Sequence, residues 1–89
     1  NVDIQIQGKE TLIQASDQSI LNFSSYDIAK DESVYYRMND PSHRVLNRIH
    51  SPSPSHIDGK LGSNGIVYLI NPAGVVFGPE SVVNVASLI

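Results

Sequence analysis

The sequence predicts an all-β fold, and three observations carry that expectation. Short runs of β-branched and aromatic residues recur along the 89-residue chain, turn residues separate them, and no stretch of useful length shows a helical apolar stripe. Residues 16–30 come nearest to a helix, and Asn22, Ser24 and Ser25 spoil it on propensity.

Taken in order, Val2, Ile4 and Ile6 alternate with Asp3 and Gln5, the period-two pattern of a half-buried strand. Thr11-Leu12-Ile13-Gln14, Ile20-Leu21-Asn22-Phe23, Tyr26-Asp27-Ile28 and Ser33-Val34-Tyr35-Tyr36 read as further short strands. Beyond Pro41 follow Val45 to Ile49, Ile66 to Ile70, Val75-Val76-Phe77 and Val82 to Val85. Breakers lie between them, among them Gly8, Asp40-Pro41, Pro52, Pro54, Gly59, Gly62, Asn71-Pro72 and Gly78-Pro79. Residues 50–56 (His50-Ser51-Pro52-Ser53-Pro54-Ser55-His56) read as a surface loop within one domain. The stripe Ile66, Tyr68, Ile70, Val75 and Phe77 reads as core.

Two architectures fit such a chain. In a sandwich or barrel the strands reverse through hairpins, and Asp58-Gly59 and Asn64-Gly65 are hairpin dipeptides. In a parallel β-helix the strands meet at corners and pair with the coil about 20 residues away. The last third favours the second: residues 65–70, 74–78 and 81–85 are very short strands divided by corners. Asn71-Pro72-Ala73-Gly74 suits a type I turn, with Asn at the first position, Pro fixing φ at the second and Gly at the fourth.

Composition narrows the function. Forty per cent apolar and 17 % charged residues make a normal globular balance. The net charge is −3 and the six Lys and Arg are scattered, so no basic stripe exists for nucleic acid. The longest apolar run, Ile66 to Ile70, is far below the ~20 residues that span a bilayer, so bilayer insertion is not expected. With no Cys, neither a disulfide nor a thiolate metal site can form. No cofactor is expected.

Several residues then become recognisable together: Val45-Leu46-Asn47-Arg48-Ile49, Ile57-Asp58-Gly59-Lys60-Leu61, and the block from Asn64 through Asn71-Pro72-Ala73-Gly74 to Gly78. They closely resemble the filamentous haemagglutinin N-terminal family, also called the haemagglutination activity or two-partner secretion domain. Residues 13–16 and 20–28 look like the family's upstream coil, and residues 82–89 like the strand after its signature. The resemblance covers about residues 11–89, with the block 64–78 its specific part. Ala73 stands where the family usually carries a second Asn, and Phe23 where a Trp is common. The chain is also shorter than a complete family domain, so residues 1–89 are expected to form one domain, whole or partial.

The resemblance implies a right-handed parallel β-helix of about three to four coils. It implies a secretion signal at the front of a large exported surface protein or adhesin, without catalysis. Its partners would be the POTRA domains of an outer-membrane transporter, met in the periplasm, and the downstream passenger of the same polypeptide, whose β-helix the domain would nucleate outside the cell. The signature residues Asn47, Arg48, Asn71, Pro72 and Gly74 are the candidate recognition set.

Each candidate has a plainer reading. Asn71, Pro72 and Gly74 can simply build a corner. Asn47 and Asn84, inside apolar strands, can satisfy their amides in a stacked Asn ladder or point to solvent. Arg48 faces opposite to Asn47 and is expected to be exposed. His43, His50 and His56 with Asp58 lack the tight spacing of a metal site. Asp27, Asp31 and Glu32 could be posed as paired acids of a polysaccharide-cleaving or polysaccharide-binding β-helix, the rival reading, yet no convergent base accompanies them.

Overall fold

In this computed structural model the described residues are 2–85 and, as backbone, 87–88. The strands are β1 (Val2–Gln7), β2 (Glu10–Ala15), β3 (Ser19–Phe23), β4 (Ser33–Arg37), β5 (Arg44–Ile49), β6 (Ser55–Ile57), β7 (Lys60–Ser63), β8 (Ile66–Ile70), β9 (Val75–Phe77), β10 (Val82–Asn84) and β11 (Ser87–Leu88).

Their pairing makes a parallel β-helix. Sheet A stacks β2, β4, β7 and β10 in parallel, sheet B stacks β3, β5, β8 and β11, and sheet C pairs β6 with β9. Glu10 lies beside Ser33, Ser33 beside Lys60 and Lys60 beside Val82, so one coil takes roughly 25 residues. Three coils and the start of a fourth are present. In the first coil the third side is only an isolated bridge from Ile28 to Ile57, so the run Tyr26-Asp27-Ile28 is not a strand. Extended backbone there carries only one rung, because Tyr26 and Ile28 both point inward from a turning segment.

Among the described residues one pair is antiparallel: β1 folds back on β2 through Gly8-Lys9, where Gly8 takes φ 62°. A side chain there would be held in the left-handed region that glycine occupies freely. β1 is a strand, as its alternation predicts, but not half-buried. Val2, Ile4 and Ile6 are all exposed, because β1 overhangs the end of the coil stack and has no rung beneath it.

The two dipeptides that could have been hairpin turns are corners. Asp58-Gly59 links β6 to β7 and Asn64-Gly65 links β7 to β8, each turning the chain into the next sheet of its coil. Gly59 is required by crowding: a Cβ there would lie 2.2 Å from the Ala29 carbonyl oxygen and 2.3 Å from that of Glu32, in the coil before. Lys60–Ser63 is a strand where the sequence suggests only breakers, Gly59 and Gly62. The 50–56 loop ends earlier than expected, since Ser55 and His56 already belong to β6.

Inward positions fill a narrow apolar core: Ile13, Leu21, Ile28, Tyr36, Val45, Ile49, Ile57, Leu61 and Val67. Of the stripe Ile66, Tyr68, Ile70, Val75 and Phe77, only Val75 packs against the core. The register sets Ile66, Tyr68 and Ile70 beside Arg44, Leu46 and Arg48 on the outside of sheet B, and Val67 and Leu69 point inward instead. Ile70 and Phe77 are 48 % and 43 % exposed. A strand of five consecutive apolar residues hides its parity, which only its neighbours reveal.

Candidate functional site

The signature residues fall in two places, a corner of the third coil and the middle of sheet B. At the corner, the Ala73 N–H donates to Asn71 Oδ1 (2.9 Å), and the Gly74 N–H donates to the Asn71 carbonyl (2.8 Å). Pro72 supplies the fixed φ between them, and Gly74 takes φ 115°. The corner is also fastened to the coil before. Asn71 Nδ2 donates to the Ser53 carbonyl (3.2 Å) and to Ser55 Oγ (3.0 Å), and the Ser55 N–H donates to the Gly74 carbonyl (3.0 Å). Asn71 and Ser55 are both buried, whereas Pro72 and Ala73 are exposed. Every polar atom of the Asn71 side chain is thus engaged, and the exposed rim of the corner is Pro72 and Ala73.

Asn47 sits on the inner face of β5 at 0 % exposure. It does not stack on another Asn, because its register partners are Leu21 and Leu69. Its amide is satisfied by a different route. Tyr36 Oη donates to Asn47 Oδ1 (2.9 Å), and Asn47 Nδ2 donates to the Tyr68 carbonyl (2.9 Å). Tyr26 and Tyr36 hydroxyls lie 2.7 Å apart. With the Tyr36 proton committed to Asn47, Tyr26 must be the donor between them. The chain of bonds therefore runs from the first coil through the second to the backbone of the third. Phe23 meets the Tyr26 ring edge-on at 5.1 Å, closing the apolar side of this network. Burial pushes the Tyr26 hydroxyl up to about 12, against the pull of its bond to Tyr36. Burial, then the neighbouring Tyr26, holds the Tyr36 hydroxyl well above its ordinary value.

Arg48, next to Asn47, points outward and is exposed, as alternation requires. Asn84 likewise lies on the outer face, at the edge of sheet A. The fold does not gather Asn47, Arg48 and the Asn71 corner into one cleft: the first is core, the second surface, the third a corner.

The acids are occupied locally. Asp17 Oδ1 accepts the Arg44 N–H and Asp27 Oδ1 accepts the His56 N–H, both at 2.9 Å, each tying the first coil to the second. Glu32 accepts the Ala29 N–H, and Asp31 pairs with Lys9, whose hydrogen bond holds the Asp31 carboxyl below its usual range. Asp40 caps Ser42. Among the described residues no three His, Asp or Glu side chains come together as metal ligands, and His50 instead bonds Asn22. Sequence reading missed three members of the polar framework. Tyr26 and Tyr36 complete the Asn47 network, and Asn64 binds both the N–H and the C=O of Met38 (2.8 and 2.7 Å), as a peptide group would. The available signal was a polar residue at each corner, one coil away from a backbone left without a strand partner.

Comparison with known proteins places this geometry in a family. The model of the TPS secretion domain matches residues 2–89. Two relatives, each a heme/hemopexin-binding protein of Haemophilus influenzae, are 35 % and 36 % identical over 83 and 81 residues. Those alignments take in 93 % and 91 % of this chain, and in both cases 9 % of the relative's length. The crystal structure of the HMW1 secretion domain from Haemophilus influenzae superposes with a TM-score of 0.96 at 32 % identity, over 99 % of this chain and 24 % of that one.

Proposed function

The chain belongs to the TPS secretion-domain family, and from that premise we propose that it is the export address of a larger secreted polypeptide, read by the periplasmic POTRA domains of an outer-membrane transporter. The supporting observation is the fold itself. Each coil presents its backbone N–H and C=O groups to the next in parallel register, and the core passes from coil to coil without a break. A solenoid of this kind grows by adding coils to a formed edge. A chain emerging on the far side of the outer membrane can therefore build on these coils, making the domain both address and first template. An unpaired strand edge is also a surface to which a transporter strand can add. The recognised polypeptide carries a passenger beyond these coils, at the cell surface or released from it. The domain has no catalytic task in this reading, in which the candidate acids Asp27, Asp31 and Glu32 serve backbone and ion-pair roles.

Within the signature, Asn71, Pro72 and Gly74 act by holding the corner, and Asn47 acts by fixing three coils in register. Arg48 is the member free to touch a partner. The test is secretion of a reporter joined behind these coils, with the cognate transporter present or deleted. Transporter-dependent export is expected, reduced by Asn71→Ala or Asn47→Ala. Export that persists without the transporter refutes the reading.

A further inference from the structure

The outer face of sheet B has an unusual make-up. Its outward positions are Ile20 and Asn22 on β3, Arg44, Leu46 and Arg48 on β5, and Ile66, Tyr68 and Ile70 on β8. The register aligns Ile20, Leu46 and Tyr68 in one row along the coil axis, with Asn22, Arg48 and Ile70 in the next. A groove of about 430 Å³ runs over the first row, bordered by Gln18, Arg44 and Ile70. Ile20 and Ile70 are 52 % and 48 % exposed.

No carboxylate lies among these outward positions, although the whole chain carries a net charge of −3. Among the described residues the ion pair is Lys9 with Asp31 and neither guanidinium on this face is in one, the Asp17 carboxylate beside Arg44 holding its backbone N–H. Sheet A differs: its outward side carries Asp3 and Glu10 as well as Arg37 and Lys60. Solvated faces usually mix both signs, and a contiguous apolar row on a small protein usually marks an interaction surface. Two cations flanking that row call for an occupant that is apolar at its centre and carries carboxylates at its rim.

Resting on the reading above, we propose that the outer face of sheet B is where the transporter's periplasmic domain docks, through an apolar segment bearing carboxylates that meet Arg44 and Arg48. An anionic membrane suits this face less well, because it would repel the rest of an acidic chain. The docking surface is rigid, since Val45 and Asn47 anchor β5 in the core between the two arginines and Leu46.

The test uses the full-length secreted polypeptide and its own transporter. Affinity for the purified periplasmic domain, at low and at high salt, is measured alongside export. Arg44→Glu with Arg48→Glu is expected to weaken binding about tenfold or more, mainly at low salt, and to depress export. Ile20→Ser with Leu46→Ser weakens binding without that salt dependence, and Arg37→Glu with Lys60→Glu on sheet A leaves it near wild type. The proposal is overturned if the charge reversal changes affinity less than about twofold or if the sheet A pair has an equal effect. It is also overturned if the reversal only lowers the protease resistance of the free polypeptide, which would show that its own later chain covers the face, or if the face selects anionic vesicles over the periplasmic domain. Wild-type export that ignores the transporter would instead refute the secretion reading itself.

Discussion

Asn47→Ala should cost this fold more than its size suggests. The side chain is fully buried and serves two groups: it accepts from the buried Tyr36 hydroxyl and donates to the carbonyl of half-buried Tyr68. Truncation strands both. A buried polar group left without its partner costs about 1–3 kcal/mol, so the pair costs up to about 6 kcal/mol, with a small cavity in addition. Set against a typical stability of about 5–15 kcal/mol, that is a large fraction. Tyr36→Phe attacks the same network from the other side, leaving Asn47 Oδ1 and the Tyr26 hydroxyl to find new partners. Because both changes break one bond, their effects should not add, with a coupling of about 1 kcal/mol or more. The assay is urea unfolding of a secretion-domain fragment carrying these coils, for both single variants and the double. A loss below about 0.5 kcal/mol for Asn47→Ala, or strict additivity, would refute the claim that a shared bond fastens the three coils.

Three further outcomes follow from the same geometry. The folded chain holds the Tyr26 proton up to about 12 while the unfolded chain releases it near 10.0, so the stability this burial confers is intact below pH 10 and is lost as pH rises through 12. That difference corresponds to roughly 3 kcal/mol, and phenolate absorbance followed together with circular dichroism should show late-titrating tyrosines released as the strands melt. Gly59→Ala drives a methyl into two backbone carbonyls and should cost about 3 kcal/mol, whereas Gly8→Ala meets nothing within 4 Å and should cost about 1 kcal/mol from its positive φ alone; thermal unfolding ranks them. Asn71→Ala should release the Ala73 amide and Ser55 together, seen as faster hydrogen exchange at the third-coil corner while Val45 and Val67 stay protected.

Much of this architecture can be read from the chain. Strands β2, β3, β4, β5, β8 and β9 coincide with runs of β-branched and aromatic residues, and the Asn71-Pro72-Ala73-Gly74 corner follows from the conformational limits of its own four residues. Where local chemistry is ambiguous the reading fails for physical reasons. Lys60–Ser63 contains a Gly and a Lys and becomes a strand only because β4 and β10 lie on either side of it. Ile66–Ile70 is apolar at every position, so its inward side is chosen by pairing with β5 rather than by its own pattern. The Asn47 site was half visible: a polar residue in an apolar strand signals a buried bond, but its partners, Tyr36 in sheet A and Tyr68 in the next coil, are fixed by the winding alone. Ala86 and Ile89, which the resemblance includes, lie outside the described residues, as does Asn1.

The antiparallel strand β1 gives the molecule a direction. It occupies the position beside β2 that a preceding coil's parallel strand would need, so no rung can form on that side of sheet A. Under the proposed function, growth on sheet A is thereby left to its other edge, beyond β10, which is also the order in which a polypeptide threaded through a pore behind this domain would become available. A fibre started here, as proposed, would lengthen like a spring wound from a fixed end.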